Sequence, residues 1–371
     1  MSSRGTLRSG VQSNSIATDG DALEMLMGPR VYLTMCWLAA LIPVQPAVGA
    51  DVAPAYCRVH ETRRHMGVAW TITAYGPDHD GALMAVITAH DEVARLEQIL
   101  SDYDPDSELS RLSAQAPTHA PVPVSEDLWQ VLDRAVAWRD ASGDAFDPTV
   151  GPLTKLWRQA RRSGKMPLPE KLAAARTAVG PDALRLHPNN RAVELTAWGM
   201  RLDLGGIGMG AAIDRAVMIL REHGITSAMV DASGDIAVIG SPPDQNGWRV
   251  SIAALGDTDG EAATLVLRDA AVTTSGDAYQ SVTIDDVRYS HIVDPRTGLG
   301  VAGPAAVTVI APDCTTADAL ATAASVLGAT DGMSLVKATR GTAARFVWEE
   351  ADGTRRERCS PEWPKPQTSG D

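Results

Sequence analysis

Beyond residue 183 the chain breaks into short apolar runs separated by turn residues: Asn189-Asn190, Gly205-Gly206, Ser233-Gly234-Asp235 and Ser275-Gly276-Asp277. Runs this short suit strands, and the brief connections between them favour hairpins over the long crossovers that parallel neighbours require. Helical spacing interrupts the strands at 207–224 and 315–327. The pattern predicts an α+β domain of antiparallel strands with helices on one face, not a doubly wound sheet. Upstream, residues 66–76 alternate like a strand, and Leu83, Val86, His90, Val93, Ala94, Glu97 and Leu100 share a helical face over 80–102. Leu128, Val131, Leu132 and Ala135 repeat that spacing, with Ser125 as the cap and Gly143 as the stop. From 161 to 182 the chain is basic and Pro-rich, a surface excursion with a short helix near 170–178. From Glu349 onward it is polar and reads as a loose tail over 349–371.

The formal net charge of −13 argues against a surface that tracks a phosphate backbone, so nucleic acid is set aside. After Met27-Gly-Pro-Arg30 comes an apolar run, Val31 to Val44, then Ala47-Val-Gly-Ala50. This order describes a secretory signal over 27–50 within an N-terminal extension, 1–50, and an extracytoplasmic or periplasmic address. An uncleaved inner-membrane anchor is the alternative, although the run is shorter than the roughly 20 residues of a membrane span. No other membrane span is expected. The folded domain is expected over 60–348. Cys57 and Cys359 lie near the two ends of that mature chain and form a candidate disulfide.

Two strings carry chemistry. The segment His291-Ile-Val-Asp-Pro-Arg-Thr-Gly298 offers an imidazole on a strand end and then a tight turn. Downstream, Ala317-Asp-Ala-Leu-Ala-Thr322 spaces Asp318 and Thr322 to share one helical face, so that both oxygens can meet a hard cation such as Mg2+. Gly205-Gly-Ile-Gly-Met-Gly210 lets backbone amides approach a phosphate at a helix start, but it lies too deep in the chain for a dinucleotide fingerprint. Plainer readings exist for each: a core histidine at 291, a turn former at Asp294-Pro295, a first-turn acid at Asp318, a helix cap at Asp147-Pro148, and packing at Met66 and Tyr103.

Taken in order, Met66-Gly67, Tyr103 to Leu112, Gly143 to Gly151, Asp203 to Gly210, Ser233 to Ile236, Thr274 to Asp277, His291 to Gly298 and Ala317 to Thr322 resemble the ApbE family, the FAD:protein FMN transferases. The resemblance spans about residues 65–340. It implies a T-fold-like single domain and transfer of FMN from FAD onto a Thr or Ser hydroxyl of an acceptor flavoprotein in a membrane or extracytoplasmic redox system, with release of AMP. Carried over by position, it implies flavin contacts at Met66, Tyr103, Ala145, Phe146 and Asp147, with Asp203 at the flavin and phosphate turn. Thr274, Ser275 and Asp277 would line the same pocket, and Asp318, Thr322 and a carbonyl near Gly206 would hold Mg2+.

Attack at a pyrophosphate by a hydroxyl needs a base, and His291 is the candidate, with Asp294 fixing its loop or orienting it. The chain departs from the family at Met209, where a Lys is usual in the phosphate turn, and at Ala211, Asp231 and Ala278. Those departures leave open an FAD pyrophosphatase that uses water, or an FAD-binding protein without turnover.

Overall fold

The computed structural model describes residues 56–252, 263–276, 281–303, 305–350 and 352–365. All belong to one compact unit, Ala53–Asp371. The expected N-terminal extension, the export signal and Asp277 lie outside the described residues.

The chain opens with a hairpin, β1 (Cys57–His65) and β2 (Val68–Gly76), then helices α1 (His79–Leu100) and α2 (Glu108–Ser113) and the short strand β3 (Val122–Pro123). Three helices follow, α3 (Glu126–Ser142), α4 (Gly151–Ser163) and α5 (Pro169–Arg176), then β4 (Leu184–His187), β5 (Ala192–Leu195) and α6 (Gly208–Glu222). Next come β6 (Ser227–Ala232), β7 (Asp235–Ile239), β8 (Trp248–Ile252), β9 (Ala263–Leu267) and β10 (Ala270–Gly276). The last part holds β11 (Ser281–Ile284), β12 (Val287–Val293), β13 (Gly300–Ala302), β14 (Ala305–Ala311), α7 (Cys314–Ala338), β15 (Ala343–Glu349) and β16 (Arg355–Cys359).

Eight strands form the main sheet in the order β1-β2-β6-β7-β10-β14-β15-β16, each pair antiparallel. Successive side chains on a strand face opposite ways. On β7, Ala237 and Ile239 join the core under α1, α6 and α7, while Ile236 and Val238 join a second core under the β8–β9 hairpin. The helices therefore cover one face, as the sequence predicts. A third cluster packs Leu153, Trp157 and Ala160 of α4 against Ile284 and Val293 of the β11–β12–β13 sheet.

The helix ends follow local chemistry. Ser125 Oγ accepts from Leu128 N at the start of α3, which ends at Gly143 as expected. Asp313 accepts from Thr316 N at the start of α7. That helix runs past the predicted end at 327, because Gly328, at φ 73, only kinks the path and the chain resumes its turns to Ala338. By length and composition α7 could cross a membrane, but Ala317, Leu320, Ala321 and Ala324 are buried in the main core.

Two further expectations are corrected. The polar tail after Glu349 is not loose: β16 pairs with β15, and Ser360 Oγ accepts from Ala344 N at 3.1 Å, so the folded unit runs past 348. The Cys57–Cys359 bridge is excluded, and both thiols are free. Cys57 lies on the first strand of the sheet and Cys359 on the last. Seven strand spacings separate them, about 33 Å across a flat sheet, whereas a disulfide needs Cα atoms within about 7 Å.

Candidate active site

The glycine turn after Asp203 meets the first turns of α7. A Cβ on Gly206 would stand 2.9 Å from Thr322 Oγ1 and 3.2 Å from Phe146 Cε2, so backbone, hydroxyl and ring converge there only because position 206 has no side chain. Gly210 N donates to Asp318 Oδ2 at 3.1 Å. Ser275 Oγ lies 3.2 Å from Thr322 Oγ1. Burial, reinforced by the nearby Asp235 carboxylate, pushes Asp318 well above the usual carboxylate range. Asp235 in turn is pushed up to about 7 by burial and by Asp231, against a stabilising hydrogen bond from the Thr274 amide. Two carboxylates that are both costly to ionise, beside a hydroxyl pair, form an oxygen donor set suited to a hard divalent cation. Among the described residues no three His, Cys, Asp or Glu side chains converge on a metal-sized position. Such a cation would therefore also draw on hydroxyl and carbonyl oxygen.

Helix α4 builds the adjoining wall. Asp203 Oδ1 accepts from Gly205 N at 2.9 Å, which pins the start of the glycine turn, and Oδ2 accepts from Thr154 Oγ1 at 2.7 Å and Arg158 Nη2 at 3.1 Å. Arg158 Nη1 also donates to Asp102 Oδ2 at 2.5 Å. Its guanidinium carbon stands 4.1 Å from the centre of the Tyr103 ring. Burial and Asp203 push Asp102 upward, and Arg158 pulls it back. One residue earlier, Trp157 Nε1 donates to Gly298 O at 2.8 Å, so the same helix holds the turn that follows His291.

His291 lies on β12, which packs against α7. Asp294 Oδ1 accepts from Arg296 N and Nε, both at 2.9 Å, and Oδ2 from Arg296 Nη2 at 3.0 Å. Gly298 N closes the turn on Asp294 O at 2.8 Å. These contacts of the acid lie within its own turn.

Ala145, Phe146 and Asp147 are buried, and the Phe146 ring abuts the glycine turn at Gly206. Asp147 Oδ1 accepts from Thr149 N and Oγ1, forming a tight turn ahead of α4 that does not cap the helix. Asp147 Oδ2 is buried without a hydrogen-bond partner, a position for a ligand N–H. Met66 occupies the two-residue turn between β1 and β2 and packs on the main core. Thr274 departs from expectation: its side chain bonds Thr308 Oγ1 at 3.0 Å on the sheet face opposite Ser275, so its amide is the group that faces the carboxylates.

With this geometry in place, comparison decides the lineage: the ApbE family profile matches residues 66–346. The chain belongs to the ApbE family. An FAD:protein FMN transferase of Treponema pallidum is 35% identical over 269 residues, which cover 68% of this chain and 74% of that protein. One from Vibrio cholerae is 31% identical over 313 residues, 82% of this chain and 91% of that protein. The solved flavin transferase ApbE from Vibrio cholerae superposes with a TM-score of 0.73 at 30% identity, covering 83% of this chain and 98% of that one. The apo flavinyl transferase ApbE of Pseudomonas stutzeri gives 0.73 at 28% identity, covering 82% and 95%.

Within this ApbE-family chain, Arg158, Trp157 and Thr154 were not singled out from sequence, and Asp235 reads there only as part of a turn and of a family string. Arg158 lies just ahead of the basic stretch 161–182 that reads as a surface excursion, and its acidic partners are 45 and 56 residues away in the chain. Met209 is partly buried against the main core, so no cation stands at that turn position.

Proposed function

We propose that the protein transfers the FMN half of FAD to a Thr or Ser hydroxyl of an acceptor protein and releases AMP. The observation that carries this reading is the junction of the glycine turn with α7, where Gly206 abuts Thr322 and the Gly210 amide meets Asp318. It gives a phosphate-approaching backbone and an oxygen donor set in one place. Asp318, Thr322 and a carbonyl near Gly206 would hold Mg2+, which supplies neutralisation of charge on the diphosphate. The acceptor hydroxyl forms a bond to the FMN phosphorus, the bond from that phosphorus to the AMP oxygen breaks, and His291 takes the hydroxyl proton. Asp294, tied to Arg296, keeps the turn after His291 in place. Phe146 and Asp147 receive the flavin, with Asp147 Oδ2 as an acceptor for a ring N–H. Residues 27–50 direct the enzyme out of the cytoplasm, toward an acceptor flavoprotein of an extracytoplasmic redox system.

The test incubates the protein, FAD, Mg2+ and candidate acceptors, then looks for flavin fluorescence on the acceptor after denaturation. Fluorescence that vanishes with His291→Ala supports the reading, and none across a panel of acceptors rejects it. Met209, with no charge to offer, favours a second reading in which water attacks and FAD is split to FMN and AMP. AMP formed without acceptor identifies that case.

A further inference from the structure

Tyr103 is 76% exposed, yet one face of its ring is covered. Beneath that face the Arg158 guanidinium, 4.1 Å from the ring centre, is fixed by Asp102 at 2.5 Å and Asp203 at 3.1 Å. A planar cation that stacks on an aromatic face and spans two carboxylates uses its fork fully and keeps little freedom to move. Arg201 tightens the same corner by donating from Nη2 to the Asp102 carbonyl. A large aromatic side chain exposed on a loop normally samples several rotamers, and ordering it on binding costs free energy. Here the ordering is built in before a ligand arrives. The outer face is left as a flat platform, and Asp203 connects it to Gly205 at the start of the glycine turn.

We propose that Arg158 is a positioning residue for flavin: it clamps the inner face of Tyr103 so that the outer face receives the isoalloxazine ring of FAD in register with the glycine turn. This rests on the proposed use of FAD as substrate. Arg158 itself does not touch the flavin. It acts through Tyr103, and its loss leaves the ring free to swing.

The test titrates the full chain with FAD, followed by flavin fluorescence and by competition with ADP, for wild type, Arg158→Met, Arg158→Lys, Tyr103→Ala and the Arg158→Met/Tyr103→Ala double variant. Arg158→Met is expected to raise the FAD dissociation constant about tenfold while ADP competition is unchanged. Arg158→Lys, which keeps the charge and loses the fork, restores little. In the Tyr103→Ala background the same Met substitution costs less than about twofold more, because its route to the ligand is already gone. If Arg158→Met does not fold, Arg158→Lys takes its place in the cycle. Wild-type FAD affinity in both Arg158 variants, losses that multiply in the double variant, or equal weakening of ADP would each overturn the proposal. Wild-type protein that binds no FAD at all defeats instead the functional reading beneath it.

Discussion

Gly210→Ala tests the junction of α6 and α7. A Cβ at this position would lie 2.4 Å from Cys314 O, 2.7 Å from its carbonyl carbon and 2.8 Å from Thr315 Cα. All three are backbone atoms, and the start of α7 is already tied down, with Cys314 N and Thr315 N donating to Asp214 at 2.7 and 2.9 Å. No side chain can rotate to make room. Carbon–oxygen contacts are comfortable from about 3.3 Å, so α6 has to retreat by roughly 1 Å. Overpacking of this kind costs about 1–3 kcal/mol, which lowers the Tm of a chain this long by roughly 1–5 °C. The same retreat draws Gly210 N away from Asp318 Oδ2, so flavin transfer falls further than stability alone explains. Gly208→Ala is the control, since its Cβ would meet only Leu204 Cβ, at an ordinary 3.6 Å. Thermal melts and transfer rates of the two variants decide the matter. A Gly210→Ala protein that melts and turns over like Gly208→Ala refutes the argument that the missing side chain sets the spacing of these helices.

Asp318→Asn replaces a buried acid, pushed well above its usual range, with a neutral isostere. Its Tm without metal should stay close to wild type, while the Mg2+-linked stabilisation expected of wild type, about 2.7 kcal/mol at a hundredfold excess over the dissociation constant, should disappear; equal Mg2+ responses in calorimetry would remove the metal assignment. Stability should also fall in mild acid. Burial lowers His90 from 6.5 to about 4 and lowers its partner His65, whose Nε2 lies 3.2 Å from His90 Nδ1. The folded chain keeps both rings neutral while the unfolded chain takes up protons near 6.5, so this stability is whole above about 6.5 and is lost as pH falls toward 4. His90→Leu should flatten the urea-denaturation midpoint over that range, and an unchanged slope would count against it. Thiol labelling of native oxidised protein should modify Cys57 and Cys359 singly and reach the buried Cys314 only after denaturation. A native mass lower by two hydrogens with neither thiol reactive would contradict the strand order.

Much of the architecture was legible because local chemistry and tertiary packing agree. Ser125 and Gly143 bracket α3 where capping residues should, and the alternation of 66–76 becomes β2. The failures have physical causes. All of β16 is exposed at a sheet edge, so it carries charge along its length and shows no apolar period. The helical spacing stops at 327, yet the segments of α7 on both sides of Gly328 contribute to the main core, and packing carries the helix through the kink. At the site, Asp318 and Thr322 announce themselves by helical spacing, while the Arg158 cluster joins α4 to residues 45 and 56 positions away. Contacts of that range leave no trace in a local window.

Trp157 and Arg158 are neighbours on one helix, yet one reaches the turn after His291 and the other reaches Asp203. Consecutive helical residues point about 100° apart, so α4 works like a key with two cut edges whose relative angle cannot be filed independently. A one-residue insertion or deletion between Thr154 and Arg158 would rotate both edges away from their locks together. Length changes in this lineage should therefore gather in the exposed stretch that follows α4 and avoid the helix itself.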